Sequence, residues 1–354
     1  MKSLQLTGFG KPLEWAQKQT PEPRGTEILM KVVACGVCHS DLHIWEGFYE
    51  LGGNERIYVK DRGVNLPLTM GHEVCAEIVS KGPDVGEVEL NKPYLVYPWI
   101  GCGTCKYCTS GRPQMCLKPR SLGVYSDGGY ADHIMVPDAS FLINIDGIRP
   151  EIACSYACAG LTAYGALKKT MPLQSDETLV LIGAGGLGMM AVQFVRALTA
   201  ARVIMIDVDD VKLAAVRQME QVETINSSTS DVTKVVMQMT GGVGANAVID
   251  FVNNETTANA AFSMLAKNGV MVMVGLFGGK LHISTPVPAL KNLTIRGSYT
   301  GSLTELKELI ELVKIKHLKS IPVKTFPLDE AAHLLQEIKD GKVIGRAVLT
   351  PDRT

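Results

Sequence analysis

The sequence predicts an α/β protein in which a β-rich domain is followed by a domain with a doubly wound parallel sheet. Residues 1–157 contain short apolar segments broken by Gly, Pro and Asp, a pattern typical of strands joined by loops. Residues 158–298 alternate strand-like and helix-like segments with short connections, which favours a parallel sheet covered by helices on both faces. Residues 299–354 end in two helices and a strand, and we expect them to pack back on the first domain.

The first domain is predicted mainly as strands. Its strand segments are EILMKVVACGV, EVCAEIVSKG, PYLVYPW and YADHIMVP. The polar stretch from Gly47 to Asn65 predicts a long loop, and loops of this length often form lids or pocket walls. The segment CAGLTAYGAL, residues 158–167, predicts a helix that leads into the second domain.

The second domain is predicted as alternating strands and helices. Its strands are TLVLIG, RVIMID, ETIN, ANAVID and GVMVMVG. Its helices are GLGMMAVQFVRALTA, DVKLAAVRQME, SDVTKVVMQMT and ETTANAAFSMLAK. The last part adds the strand LTIRGSY, two helices within LTELKELIELVKIK and LDEAAHLLQEIKDG, and the final strand GRAVLTP.

The composition is that of a globular protein, with 46% hydrophobic and 20% charged residues among 354. The chain has 35 basic and 36 acidic residues, so its net charge is −1. This charge does not favour binding to nucleic acid or to an anionic membrane. No run approaches the ~20 apolar residues of a membrane span, and the first residues lack a secretion signal. We therefore expect a cytoplasmic protein, whose nine cysteines are thiols or metal ligands.

A glycine-rich turn at Gly183, Gly185 and Gly188, with Gly186 and Leu187 between them, follows an apolar strand and opens a helix. Such a turn brings the backbone close to a pyrophosphate at the helix N-terminus, which indicates a dinucleotide site. Asp207 ends the next predicted strand, 19 residues after Gly188. A carboxylate there accepts hydrogen bonds from the adenosine ribose and repels a 2′-phosphate, so NAD is favoured over NADP. Asp209 and Asp210 are alternatives if the strand is shifted.

Four cysteines with short spacing predict a closed metal site. They are Cys102, Cys105, Cys108 and Cys116. Four thiolates wrap one tetrahedral zinc ion and leave no open position, so this zinc would be structural. An iron–sulfur cluster also takes four thiolates, but Leu117 stands where a proline often follows the last cysteine. A nucleic-acid-binding zinc ribbon is disfavoured by the neutral charge.

A second, open metal site is predicted at Cys38, His72 and Cys158. Two thiolates and one imidazole leave a fourth zinc position for water or substrate, and such an ion remains Lewis acidic. Spacing alone does not decide between these ligands and the other cysteines of the chain. The competing thiols are Cys35, Cys75 and Cys154.

Together these motifs resemble the zinc-containing medium-chain alcohol dehydrogenase family, along nearly the whole chain. The resemblance rests on GVCHSDLH (36–43), PLTMGHE (67–73), the four cysteines, CAGLTAYGALK (158–168), GAGGLG with Asp207, and the terminal GKVIGRAVLTP. It implies a GroES-like catalytic domain over residues 1–157, with a structural-zinc lobe at 98–117. It also implies a Rossmann coenzyme domain over residues 158–298 and a C-terminal segment, 299–354, that returns to the catalytic domain.

The resemblance implies which residues bind the catalytic zinc. The matching ligands are Cys38, His72 and Cys158, and Glu73 matches an acid that approaches the zinc during ligand exchange. The remaining thiols then pack in the interior; they are Cys35, Cys75 and Cys154.

Further roles carry over to matching positions. Ser40 matches the hydroxyl beside the bound alcohol, and His43 the outer end of its proton relay. His39 and Arg346 match positions that meet the pyrophosphate, and Thr162 matches a contact behind the nicotinamide ring. Further predicted cofactor contacts are Lys212, Val252 and Val274.

These features predict reversible oxidation of a primary or secondary alcohol to an aldehyde or ketone by hydride transfer to NAD, with two zinc ions per subunit. We expect Trp99 and Trp45 to line an apolar substrate pocket. The nearest alternative is an NAD-dependent polyol or sugar dehydrogenase of the same fold, in which a carboxylate often replaces the third thiolate. A non-catalytic NAD- and zinc-binding protein is the alternative from another class. The expected partners are a small-molecule substrate and copies of the chain in a homotetramer, with a dimer second.

Overall fold

The structure is a computed structural model that describes residues 1–351. Its strands are β1 (Lys2–Leu6), β2 (Glu14–Gln17), β3 (Ile28–Gly36), β4 (Phe48–Gly52), β5 (Glu55–Tyr58), β6 (Leu68–Thr69), β7 (Glu73–Lys81), β8 (Pro93–Val96), β9 (His133–Val136), β10 (Leu142–Asn144), β11 (Thr178–Ile182), β12 (Arg202–Asp207), β13 (Glu223–Asn226), β14 (Ala245–Asp250), β15 (Leu265–Met273), β16 (Thr294–Gly297), β17 (Val323–Pro327) and β18 (Arg346–Thr350).

The α-helices are α1 (His39–Glu46), α2 (Lys106–Thr109), α3 (Pro150–Ala153), α4 (Ala159–Lys168), α5 (Gly186–Leu198), α6 (Asp210–Met219), α7 (Val232–Met239), α8 (Glu255–Ser263), α9 (Pro286–Lys291), α10 (Leu303–Lys316) and α11 (Ala331–Lys339). Short 3-10 helices cover Val59–Arg62, Pro113–Met115, Ala139–Phe141, Cys154–Ala157 and Leu328–Glu330. In the part of the chain that the structure describes, no helix combines the length and the apolar character needed to cross a membrane.

One compact unit contains residues 1–48, 58–161 and the described residues from 301 onwards. Its main sheet has the strand order β10-β8-β7-β3-β18-β17, and β9 also pairs with β3. The strand β18 near the C-terminus joins this sheet beside β3, antiparallel to it, with Val348 opposite Gly36. A smaller sheet has the order β2-β1-β6.

The second unit contains residues 162–300 together with 49–57. Its sheet has the order β13-β12-β11-β14-β15-β16, and every neighbouring pair is parallel. This is the strand order of a dinucleotide-binding fold, so the predicted doubly wound sheet is confirmed. All five residues of β11 are buried, as expected of a central strand covered by helices on both faces.

The predicted long loop from Gly47 to Asn65 is wrong, because residues 48–58 form a hairpin of β4 and β5. A two-residue turn of Gly53 and Asn54 joins the strands, with φ of +63° and +65°. A two-residue turn with positive φ at both positions matches the twist of the two strands that it joins. The Gly-Asn pair in the sequence therefore indicates a hairpin here. Residues 49–57 of this hairpin group with the second unit. The first unit ends at residue 161 before the second begins, four positions after the predicted boundary at 157.

The buried centre of the parallel sheet gives a direct stability test. Leu181 in β11 is fully buried, whereas Leu290 in α9 is 79% exposed. We expect Leu181→Ala to cost about 2–5 kcal/mol, because it removes a buried side chain and leaves a cavity. Leu290→Ala should stay within about 0.5 kcal/mol of the native chain. Guanidinium unfolding followed by circular dichroism measures both variants, and equal effects would contradict this account of the core.

Candidate functional site

Four buried side chains of the first unit bring metal-binding atoms together. One ligand atom from each of Cys38, His72, Glu73 and Cys158 lies within 4.8 Å of the others. The sulfur atoms of Cys38 and Cys158 are 3.9 Å apart. Each residue stands at the end of an element: Cys38 caps α1, His72 immediately precedes β7, and Cys158 immediately precedes α4. Backbone geometry therefore sets the shape of this cluster.

The orientation of His72 fits a metal ligand. Its Nδ1 lies 3.0 Å from Oδ1 of Asp41, and both side chains are fully buried. A carboxylate only accepts hydrogen bonds, which assigns the proton to Nδ1 and leaves a lone pair on Nε2. His72 Nε2 is buried without a hydrogen-bond partner. A buried acceptor of this kind beside two thiols is what a zinc site requires.

Asp41 is a further residue of the candidate site, which the sequence did not reveal. Its Oδ2 accepts a hydrogen bond from the backbone N–H of Cys38 at 2.9 Å and one from the Tyr130 hydroxyl at 3.2 Å. One carboxylate therefore positions two candidate ligands, Cys38 and His72. The signal was present in GVCHSDLH, where an acid three residues after a ligand caps the same helix.

The chain before His72 also requires glycine. Gly71 has φ of +90°, and a Cβ there would lie 2.4 Å from the Tyr130 ring and 2.7 Å from the Cys35 sulfur. Cys35 thus packs on the backbone of Gly71. Three further buried cysteines were alternatives to the predicted ligands: Cys35, Cys75 and Cys154. Neither of the two metal-binding groups found among the described residues includes them.

Glu73 lies against Arg346 in the interior. Arg346 Nη2 donates to Oε2 of Glu73, and the backbone N–H of Ala159 donates to Oε1 at 3.1 Å. Burial raises the pKa of Glu73 to about 7, and the positive charge of Arg346 opposes that shift. The role of Arg346 at a pyrophosphate stays a prediction, because its observed partner is Glu73.

The proposed relay residues lie on α1, which begins directly after Cys38. Ser40 is half-buried, and the ring centroids of His39 and His43 are 5.6 Å apart. Burial, reinforced by the charge of His39, lowers the pKa of His43 to about 4. The His43 imidazole is therefore neutral at pH 7.

The two predicted pocket tryptophans occupy different surroundings. Trp99 is buried, with its ring centroid 5.4 Å from that of His72 and its Nε1 donating to the Ala157 carbonyl at 3.0 Å. It therefore lies beside the metal-binding cluster. Trp45 lies within α1, and its Nε1 donates to the Lys11 carbonyl at 2.7 Å. Its part in a substrate pocket stays a prediction.

The four closely spaced cysteines of the predicted closed metal site also form a cluster. The ligand atoms of Cys102, Cys105, Cys108 and Cys116 lie within 4.8 Å of one another. Backbone N–H groups of Cys102 and Lys118 donate to the Cys116 sulfur at 3.2 and 3.3 Å. Backbone and side-chain hydrogen bonds of Thr104 lower the pKa of Cys102 to about 5. These hydrogen bonds favour a thiolate at Cys102, the form that binds zinc, whereas burial raises the pKa of Cys108 to about 12.

The glycine turn of the second unit joins β11 to α5. Gly183 has φ of +99°, and a Cβ on Gly188 would lie 1.9 Å from the Gly183 carbonyl oxygen. Nothing lies within 4 Å of a Cβ on Gly185, the residue that caps α5. Gly186 and Leu187 form the first turn of this helix. The turn therefore leaves backbone exposed at a helix N-terminus, where a pyrophosphate binds.

Asp207 ends β12 and faces this turn. Its Oδ2 accepts from the backbone N–H of Ala184 at 2.6 Å, and its Oδ1 accepts from Asp209 at 2.9 Å. Asp209, the alternative to Asp207, caps α6 instead, because its side chain accepts hydrogen bonds from the backbone N–H groups of Val211 and Lys212. The carboxylate of Asp207 is thus fixed at the carboxyl edge of the sheet, next to the turn.

The remaining predicted cofactor contacts lie in the second unit. Val252 and Val274 follow β14 and β15, at the carboxyl edge that also carries Gly183. The Nζ of Lys212 lies 4.0 Å from Asp209. Thr162 is buried in α4. Val252, Val274 and Gly183 thus share the edge at which parallel sheets bind ligands.

Comparison with known proteins places this chain in a family. Residues 24–147 match the alcohol dehydrogenase GroES-like domain, and residues 186–314 match the zinc-binding dehydrogenase domain. An NAD-dependent alcohol dehydrogenase of Sulfurisphaera tokodaii is 37% identical, over 99% of this chain and 100% of that protein. The crystal structure of the alcohol dehydrogenase from Aeropyrum pernix matches with a TM-score of 0.90 and 30% identity, over 99% of this chain and 100% of that one.

The chain therefore belongs to the zinc-containing medium-chain alcohol dehydrogenase family, and its predicted fold class is confirmed. A more distant relative, the D-arabinose 1-dehydrogenase (NADP(+)) of Saccharolobus solfataricus, is 28% identical over 99% of this chain and 97% of that protein.

The hydrogen bond between Asp41 and His72 generates a prediction about metal affinity. We expect Asp41→Asn to weaken zinc binding at the Cys38–His72–Cys158 cluster by about 10- to 100-fold, because the imidazole and the Cys38 backbone lose their anionic acceptor. Asp132 makes the same contact with His133, Oδ1 to Nδ1 at 3.0 Å, outside both cysteine clusters. Asp132→Asn is therefore the matched control. Zinc competition with a chromogenic chelator measures both variants, and equal affinities would contradict the role given to Asp41.

Proposed function

We propose that this protein reversibly oxidises a primary or secondary alcohol to an aldehyde or ketone, with hydride transfer to NAD. One observation carries the proposal: the buried thiols of Cys38 and Cys158 converge with a His72 Nε2 that has no hydrogen-bond partner. A purely structural site would close its fourth position with another thiolate, as the other cysteine cluster does. Membership of the alcohol dehydrogenase family supports the same reaction.

Two zinc ions per subunit would fit the two clusters. Cys102, Cys105, Cys108 and Cys116 would hold a structural ion, and Cys38, His72 and Cys158 a catalytic one. Zinc in the open site supplies a Lewis acid that lowers the pKa of an alcohol, and NAD at the glycine turn supplies the hydride acceptor. Two thiolates and one neutral imidazole would balance the charge of the ion and would leave room for an alcohol as a further ligand. Glu73, next to His72, would serve ligand exchange.

The proton of the alcohol would leave through residues of α1. The Ser40 hydroxyl accepts one proton while it gives up another, so it passes a proton without holding charge. The imidazole of His43 would pass the proton on to water without staying charged, because its lowered pKa favours the neutral form at pH 7. Trp99 beside His72 would provide an apolar wall for the substrate and exclude water from the cluster.

Asp207 would select NAD. Its carboxylate is fixed by two backbone N–H groups at the end of β12, where it would accept hydrogen bonds from the adenosine ribose. A 2′-phosphate would meet this negative charge, which disfavours NADP. Lys212, Val252 and Val274 would complete the coenzyme contacts from the same edge of the sheet, with Thr162 behind the nicotinamide.

A polyol or sugar dehydrogenase is the second candidate function, and one relative at 28% identity, the D-arabinose 1-dehydrogenase, favours it. The third ligand argues against it, because Cys158 supplies a thiolate where such enzymes often use a carboxylate.

We further propose that the protein is cytoplasmic and forms a homotetramer, with a dimer as the second choice. A formal charge of −1 supports the absence of nucleic-acid and membrane partners. Light scattering of the purified chain measures the oligomeric state directly.

Turnover with a substrate panel tests the proposed function. The zinc-loaded protein, with NAD⁺ or NADP⁺, is supplied with primary, secondary, cyclic and aromatic alcohols and with pentoses and polyols, while absorbance of the reduced cofactor is followed. We expect NAD⁺-dependent oxidation of simple alcohols. Asp207→Ser should reduce the preference for NAD⁺ over NADP⁺ by about tenfold or more, since it removes the charge that repels the phosphate. Asp209→Ser is the matched control. Faster turnover of sugars than of alcohols would reject the alcohol assignment.

A further inference from the structure

Residues 49–57, the hairpin of β4 and β5, group with the second unit although the chain on both sides of them groups with the first. The segment that they contact is residues 278–280, which follow β15 within the second unit. This segment begins four residues after Val274, a predicted contact of the cofactor. The hairpin therefore contacts the second unit close along the chain to a predicted cofactor contact, from a distant position in the sequence.

The contact is made by two backbones without side chains between them. A Cβ on Gly52 would lie 2.8 Å from the Gly279 Cα and 3.1 Å from its carbonyl carbon. From the other side, a Cβ on Gly278 would lie 2.3 Å from the Glu50 carbonyl oxygen. The values of φ at Gly52 and Gly278 are +86° and +83°. Only glycine therefore satisfies both the conformation and the close approach at these positions.

Charged groups add to this contact at the surface. Lys280 Nζ lies 3.1 Å from Oε1 of Glu55, and both side chains are more than half exposed. An exposed ion pair of this kind stabilises little by itself. The fit of the glycine backbones is therefore the main determinant of where the hairpin lies on residues 278–280.

Residues 274, 275 and 279 pack on the end of β14 and on the chain that follows it. The backbone N–H groups of Val274 and Gly275 donate to the Asp250 carbonyl at 3.0 and 3.1 Å. A Cβ on Gly275 would lie 2.1 Å from the Val252 carbonyl oxygen, and one on Gly279 would lie 2.2 Å from the backbone nitrogen of Glu255. Residues 274–280 are thus held between the loop after β14 and the hairpin.

We propose that the 49–57 hairpin is a positioning element of the coenzyme site, which fixes residues 274–280 so that Val274 and Val252 meet the cofactor. This inference rests on the proposed NAD function. The hairpin acts through the backbone of residues 278 and 279 and has no direct part in hydride or proton transfer. Its displacement therefore weakens cofactor binding and leaves the metal sites intact.

The test is a pair of glycine substitutions with the same backbone strain. Gly52→Ala introduces a Cβ against Gly279, whereas Gly63→Ala meets nothing within 4 Å, and φ at Gly63 is +93°. We expect Gly52→Ala to raise the Kd for NADH by about tenfold, because a shifted loop misplaces its contacts. Gly63→Ala should stay within about twofold of the native chain. NADH fluorescence measures Kd, and zinc per chain is measured on the same samples.

The outcomes separate this inference from the proposed function. If the native protein does not bind NADH, the proposed cofactor and the inference both fail. If it binds NADH and Gly52→Ala binds it as tightly as Gly63→Ala does, the hairpin has no positioning role while the NAD function stands. A loss of zinc together with a loss of NADH binding in Gly52→Ala would overturn the claim that the metal sites are independent of the hairpin.

If Gly52→Ala does not fold, Glu55→Lys tests the same contact more gently. It places like charges at the end of the hairpin against Lys280, so we expect Kd for NADH to rise about threefold at low ionic strength. The effect should disappear in about 0.5 M salt, where exposed charges are screened. An unchanged Kd at low salt, or a rise that salt does not remove, would overturn the proposal.

Discussion

The carboxylate of Asp41 connects the parts of the first unit on which the candidate active site depends. One oxygen orients the His72 imidazole, and the other accepts from the Cys38 backbone and the Tyr130 hydroxyl. All of these groups are buried, so each hydrogen bond acts in a medium of low polarity and its loss would leave an unpaired charge or dipole. The candidate metal ligands Cys38, which caps α1, and His72, which precedes β7, are thereby held together before any ion binds.

In both units, glycines allow neighbouring parts of the chain to approach each other closely. In the first unit, Gly71 lets the chain pass between Cys35 and Tyr130 on its way to His72. In the second, Gly188 lets α5 lie against the Gly183 carbonyl, which leaves the helix N-terminus open for a phosphate. A side chain at Gly71 would lie too close to the Tyr130 ring and the Cys35 sulfur, and one at Gly188 would lie too close to the backbone of Gly183. A site for zinc and a site for a dinucleotide thus depend on the same steric property of the chain.

Sequence patterns predicted the parallel sheet and the four-cysteine cluster because these features depend on local signals. The ligands Cys38, His72 and Cys158 instead came from the family resemblance, since spacing alone did not decide between them and the other cysteines. A Gly-x-Gly-x-x-Gly turn after an apolar strand, and closely spaced thiols, specify their chemistry within a few residues. The hairpin at residues 49–57 was missed because its sequence is polar and its partner lies more than 200 positions later. Asp41 was missed because its role depends on tertiary contacts with His72 and Tyr130, which spacing does not reveal.

The zinc content and turnover of two cysteine variants test the central claim most directly. Cys158 and Cys154 are both buried and lie four positions apart, yet only Cys158 belongs to the cluster with Cys38 and His72. The account predicts that Cys158→Ala loses half of its zinc and about a thousandfold or more of its alcohol oxidation. Cys154→Ala should retain both zinc ions and nearly full activity. Full zinc and full turnover in Cys158→Ala would contradict a catalytic metal at this site.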